Sequence, residues 1–156
     1  MRKFNGKEYI EEAPHDFSEL REVIKILRSD QGCEWDRAQT FESMKKCLTD
    51  ETQEVLDAID KDDHENLCEE LGDVLLQVIM QADMAEEKGW FKFEDVVQTL
   101  SEKLIRRHPH VFGDLTADTP EESLAIWKMV KKQEKEAKAA KAAAKAALQS
   151  LEGEGK

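Results

Sequence analysis

Two helix-periodic stretches each carry an acidic pair three residues apart. "LTDETQEVLDAI" (residues 48–59) holds Glu51 and Glu54, and "EELGDVLLQVIM" (residues 69–80) holds Glu70 and Asp73. At 100° per residue, Met44, Leu48, Val55 and Ile59 fall in one narrow arc of the first helix. Glu51 lies inside that arc and Glu54 on its border, whereas Asp50 and Asp57 point to the other side. On the second helix the same projection sets Glu70 and Asp73 along one border of the stripe Leu67, Leu71, Val74, Val78 and Ile79, near Gln77. Two helices thus turn four carboxylates toward a bundle interior.

An isolated buried carboxylate costs on the order of several kcal/mol or takes up a proton, so a group of four needs compensation. Salt bridges to Lys or Arg of a neighbouring helix, or exposure along a partly covered stripe, would supply it without any ligand. A di-iron or di-manganese carboxylate bundle wants Glu-x-x-His on two helices, and neither "ETQE" nor "ELGD" contains His. A hard cation such as Mg²⁺ or Mn²⁺ takes oxygen ligands and leaves positions open for a phosphate substrate. An all-carboxylate set favours that third compensation. A calcium loop over residues 60–71 fails, because Glu65 replaces the required glycine and Leu71 the terminal glutamate.

The elements that must position these groups are legible in the composition. The chain has 156 residues, enough for one core of modest size. Apolar residues make up 40% and charged residues 37%, with seven Gly and three Pro, which suits long amphipathic helices and an all-α fold. The net charge of −12 repels a nucleic-acid backbone, so no nucleic-acid partner is expected. From residue 131 onward there are seven Lys and four Glu, leaving 16 basic against 31 acidic residues before it, or −15 for a body that attracts cations. Cys33, Cys47 and Cys68 are odd in number and widely separated, the pattern of free thiols. No stretch reaches the length of a membrane span and the charged start lacks the apolar core of a signal peptide, so the expected location is cytoplasmic.

Along the chain, Asp16 and Glu19 have capping-box spacing ahead of a helix with Phe17, Leu20, Ile24 and Leu27 on one face. Residues 28–40, "RSDQGCEWDRAQT", have no period and read as an ordered loop. A second helix stops near "DKDDHEN", where Asp62 and Glu65 cap a third, longest helix that Gly89 ends. A fourth starts near Glu94, uses Val96, Val97, Leu100 and Leu104, and is ended by His108 and Pro109. Thr119, Pro120 and Glu122 open another helix, with Trp127 and Val130 as its last large apolar residues. From Glu134 on, the Lys/Ala-rich stretch has high helix propensity and almost nothing to bury, the signature of a fraying helix or tail.

E-x-x-E, a helical hairpin, then E-x-x-D resembles the signature of the MazG-like nucleoside triphosphate pyrophosphohydrolases, an all-α superfamily. The resemblance continues in "GCEWDRAQTFESM" (residues 32–44), similar to the family's G-C-P-W-D-x-x-Q-T motif, in "KLIRRHPHVFGD" (103–114) and in "WKMVKKQEK" (127–135). It covers residues 17–135, four motifs in order. Glu34 stands where the family usually has proline, and Asp50 where the first acidic position is often glutamate. Neither is a position assigned to metal, so they bear on substrate fit rather than on chemistry.

The resemblance implies Mg²⁺-dependent hydrolysis of a nucleoside triphosphate (NTP or dNTP) between the α and β phosphates, with Glu51, Glu54, Glu70 and Asp73 as metal ligands and Mn²⁺ as a possible substitute. It also implies a four-helix-bundle-like domain over residues 16–135, between an extension (1–15) and a tail (136–156), paired in a homodimer. On the fourth helix Lys103 and Arg107 are four apart and lean toward the apolar face, which suits phosphate clamps or ion pairs with a neighbouring helix; Arg106 points further out. Trp127 and Lys131 share a face, and the resemblance places such a pair near the nucleotide; Trp127 equally suits a core anchor. Trp35, Gln39 and Thr40, in the aperiodic segment, are candidates to reach a base or sugar, and Trp35 equally to pin the loop. His108 and His110 read as helix-stop and packing residues. Two other readings stay open: a same-fold enzyme for dUTP, dCTP or phosphoribosyl-ATP, and a non-enzymatic acidic helical module that binds a basic partner.

Overall fold

The computed structural model describes residues 16–153, and the expected extension over residues 1–15 lies outside them. The described residues form helices α1 (Phe17–Arg28), α2 (Glu34–Ala38), α3 (Phe41–Asp60), α4 (His64–Glu87), α5 (Phe93–Arg107), α6 (Pro109–Phe112) and α7 (Pro120–Gly153), without a strand among them. The all-α expectation holds. Two compact units divide the chain, Met1–Val96 and Val97–Lys156, with the boundary inside α5.

In the first unit, α3 packs along α4 as an antiparallel hairpin. The turn between them is closed by two backbone hydrogen bonds: the Asp63 N–H donates to the Ala58 carbonyl at 3.0 Å and the Asp62 N–H to Ile59 at 3.1 Å. This Schellman pairing puts Asp62 at φ 54°, a left-handed conformation that Asp tolerates better than most side chains. The cap of α4 is therefore Asp63, whose carboxylate accepts from the Asn66 N–H at 3.1 Å, and not Asp62 with Glu65 as the sequence suggested. One residue is consumed by the left-handed turn, which shifts the cap forward. The same motif ends α4, with Gly89 at φ 69° and the Trp90 N–H on the Ala85 carbonyl at 3.0 Å.

The core of this unit comprises Ile24, Met44, Ile79, Met80, Ala82, Met84 and Phe93, with Phe41, Leu75, Leu76 and Val96 against it. Helix α1 opens with the expected capping box between Asp16 and Glu19. Of its stripe only Ile24 is fully buried; Phe17, Leu20 and Leu27 each keep a third or more of their surface. Arg28 anchors the helix end: its Nε and Nη2 donate to Glu87 of α4 at 3.0 and 2.8 Å, and its Nη1 to the Asp36 carbonyl of α2 at 2.6 Å. Asp83 is buried nearby, 3.9 Å from Arg21, and burial raises its carboxyl above the ordinary range despite Lys25 and Arg21.

Residues 28–40 are not wholly a loop, because α2 occupies Glu34–Ala38. Five residues are too few to display a helical period. Gly32 is needed just before it: a Cβ there would stand 2.1 Å from the Leu27 carbonyl oxygen and 2.2 Å from that of Ile26.

In the second unit, α5 ends where expected, and His108 turns the chain into α6 while its Nδ1–H donates to the Leu104 carbonyl at 2.6 Å. Thr119 opens α7, its hydroxyl accepting from the Glu122 N–H at 3.2 Å, with Pro120 in first position. The Lys/Ala-rich stretch continues this helix without a break to Gly153, as its residue propensities allow. No described helix is long and apolar enough to cross a membrane.

Because backbone oxygens cannot retreat, Gly32→Ala should destabilise the fold by about 1–3 kcal/mol. Gly89→Ala meets no atom within 4 Å and should cost only about 1 kcal/mol, for its positive φ. Urea unfolding of both variants checks the order.

Candidate functional site

The α3–α4 hairpin brings together oxygens of Glu51, Glu70 and Asp73, all within 4.8 Å of one another. Register explains it. Glu51 and Asp73 each lie eleven residues from Asp62, and Glu54 and Glu70 each eight, so antiparallel packing sets each member of one motif beside one of the other. Glu70 is buried, Glu51 and Asp73 are half-buried, and Glu54 is exposed. Glu54 does not join the trio at that distance, yet its charge acts on both Glu51 and Glu70.

None of the four is ion-paired to a Lys or Arg among the described residues. Burial raises the Glu51 carboxyl above the ordinary range, and the charges of Asp73, Glu54 and Asp50 raise it further. Glu70 is raised by burial, then by Glu54, then by Asp73 and Glu69. The set of clustered, unneutralised oxygen donors fits a hard divalent cation, and no nitrogen or sulfur ligand stands in it.

Gln39 and Thr40 are spent on local structure. The Thr40 hydroxyl accepts from the Ser43 N–H at 3.2 Å to cap α3, the Gln39 amide donates to the Trp35 carbonyl at 2.8 Å, and its oxygen accepts from the Ser43 hydroxyl at 2.8 Å. Trp35 itself is 61% exposed and its ring makes no aromatic or cation–π contact among the described residues. Beside these residues a cleft of about 490 Å³ is lined by Arg28, Arg37, Thr40, Phe41, Lys88 and Trp90. Phe41 and Trp90, both in its lining, stack on each other with centroids 5.2 Å apart and planes at 12°. Sequence reasoning passed over Trp90, which belongs to no helical stripe.

The second unit gathers the other sequence candidates on α5 and α7. The Arg107 guanidinium carbon stands 5.2 Å and the Lys131 Nζ 4.9 Å from the Trp127 ring centroid, both within cation–π range. Arg107 Nε and Nη2 donate to Glu134 Oε2 at 2.9 and 2.6 Å, while Arg106 Nε donates to Oε1 at 2.6 Å. The Arg107 hydrogen bonds, then those of Arg106, hold the Glu134 carboxyl down at about 2. Lys103 is half-buried, and neither it nor Lys131 is ion-paired among the described residues. Glu134 was not singled out in the sequence, though it follows Trp127 by seven residues, two turns along the same face.

The profile of the MazG nucleotide pyrophosphohydrolase domain matches residues 39–112, from the cap of α3 through α6. A crystal structure of a MazG-related protein from Thermotoga maritima superposes with a TM-score of 0.62 at 33% identity, covering 74% of this chain and 98% of that one. The chain belongs to the MazG family. It is also 52% identical over 118 residues to the Thermotoga maritima nucleoside triphosphate pyrophosphohydrolase/pyrophosphatase MazG, and 46% identical over 116 residues to the Escherichia coli K12 nucleoside triphosphate pyrophosphohydrolase. Those matches cover 76% and 74% of this chain but 45% and 44% of the relatives. The uncharacterized Bacillus subtilis protein YabN matches at 46% over 120 residues, 77% of this chain and 24% of its own length. The chain thus spans less than half the length of these curated MazG relatives.

Carboxyls raised on folding favour the folded state while protonated, and that contribution is lost as pH rises through their folded values. The metal-free cluster is therefore most costly near neutral pH. Mg²⁺ should raise the melting temperature more near neutral pH than just above the ordinary carboxylate range. Glu70→Gln should keep or raise the metal-free melting temperature and abolish the Mg²⁺ shift, as differential scanning fluorimetry will read.

Proposed function

We propose that this MazG chain hydrolyses nucleoside triphosphates between the α and β phosphates, releasing a nucleoside monophosphate and pyrophosphate with Mg²⁺, or Mn²⁺ in its place. The observation that carries the reading is the Glu51–Glu70–Asp73 cluster, drawn within 4.8 Å and left without a cationic side chain. A purely structural acidic patch would spread or recruit a Lys or Arg side chain. The relatives named as nucleoside triphosphate pyrophosphohydrolases support the same reaction.

Glu51, Glu70 and Asp73 would hold the cation, with Glu54 as a further oxygen donor at the exposed edge. When bound, the ion supplies neutralisation of triphosphate charge and acidification of water. Arg107, Lys103 and Lys131 meet phosphate charge as it develops on the leaving pyrophosphate, a stabilisation that grows in the transition state. Trp127 orients the first and last of these through its ring face. Trp35, exposed on α2, is free to meet a base, whereas Gln39 and Thr40 act by holding the start of α3. The acting form is a homodimer of this chain in the cytoplasm, an assembly supported by Val97, Leu100 and Leu104, which line one face of α5 and each keep about 45% of their surface exposed.

Phosphorus NMR of an NTP and dNTP panel should show monophosphate and pyrophosphate with Mg²⁺ and nothing with chelator; Glu51→Gln should lower turnover at least a hundredfold. Orthophosphate as the product, or equal rates in chelator, would sink the reading. Light scattering should give twice the 17.9 kDa chain mass for the wild type and a smaller mass for Leu100→Glu.

A further inference from the structure

Arg107 is not presented to solvent as a free cation. Its side chain and that of Glu134 each keep only 16% of their surface, while Arg106 keeps 53%. Glu134 Oε2 takes one edge of the Arg107 guanidinium, through Nε and Nη2, and Oε1 is occupied by Arg106. Nη1 of Arg107 makes no hydrogen bond among the described residues. Backbones of α5 and α7 do not pack closely, so these side chains set the Arg107 head group relative to Trp127.

We propose that Glu134 is a positioning residue: it grips one edge of the Arg107 guanidinium so that the opposite edge, carrying Nη1, is aimed at a phosphate of the nucleotide. The inference rests on the reading of Arg107 as a phosphate-binding group given above. A planar guanidinium has two edges that can each meet an oxyanion, and a carboxylate on one fixes the direction of the other. Arg106 shares the carboxylate, so the trio keeps a net positive charge toward the ligand. Without Glu134, Arg107 still carries its charge but must be ordered at each binding event, which costs affinity.

The sign of the effect separates this role from simple electrostatics. Deleting a carboxylate near an anion site should tighten binding if Glu134 only competes with phosphate for Arg107. Positioning requires the opposite. The test is titration calorimetry of the full chain with Mg²⁺ and a nucleoside triphosphate whose α–β bridge is a methylene group, which binds without turning over. Arg107→Ala should weaken this analogue at least tenfold. Glu134→Ala should lose most of that factor, Glu134→Asp should recover part of it, and the Arg107→Ala/Glu134→Ala double variant should bind no worse than Arg107→Ala alone.

Analogue affinity unchanged or increased in Glu134→Ala, with Arg107→Ala still impaired, overturns the positioning role even if the melting temperature falls. Unchanged affinity in Arg107→Ala instead removes the phosphate reading of Arg107, and the inference with it. Should Glu134→Ala fail to fold, the near-isosteric Glu134→Gln retains one acceptor and is expected to show the same loss in smaller measure.

Discussion

The register of the α3–α4 hairpin is the constraint on which the rest depends. Its centre is Asp62, held left-handed by a turn of two backbone hydrogen bonds. Residues equidistant from that centre face each other. At eight and eleven residues out these are carboxylates; at eighteen they are Met44 and Met80, both buried in the core. One geometric fact thus supplies both the apolar contact that holds the helices together and the charge cluster that pushes against it. Core packing sits at one end of the hairpin and the unpaired carboxylates nearer the other, so the repulsion can be sustained without opening the core.

The distribution of cations sharpens the contrast. Some acidic residues elsewhere are matched: Glu94 by Arg21, Glu87 by Arg28, and Glu134 by two arginines. Pairing lowers Glu94 and Glu134, whereas Glu51 and Glu70 are raised by burial and by each other's neighbours. Residues of the same type are driven in opposite directions, down where a guanidinium stands beside them and up where burial, then other carboxylates, act on them.

Substrate-side groups divide by what else they must do. Thr40 and Gln39 carry the N-terminus of α3, and through it the phase at which Met44 and Glu51 enter the hairpin. That duty gives their place in a family motif a structural reason. Trp127 has a different duty, its ring standing within cation–π range of both Arg107 and Lys131. The cleft beside Phe41 and Trp90 belongs to the far end of the hairpin, where its α4 residues Met84 and Glu87 lie eleven or more residues from Asp73 and Glu70.

All-α character, the long helices and the clustering positions Glu51, Glu70 and Asp73 were legible in the sequence because helical period is local, and each depends only on residues three or four apart. Even the pairing of Glu51 with Asp73 follows once a hairpin centred near residue 62 is granted. Short α2 escaped because five residues carry no period, and the true cap of α4 escaped because one residue was taken by a left-handed turn. Which carboxylates stay unpaired, and that Glu134 reaches across from α7 to seize Arg107, were decided only by the tertiary structure. An ion pair 27 residues apart in sequence has no local signature, since what selects it is the distance between side chains on helices whose separation no single segment encodes.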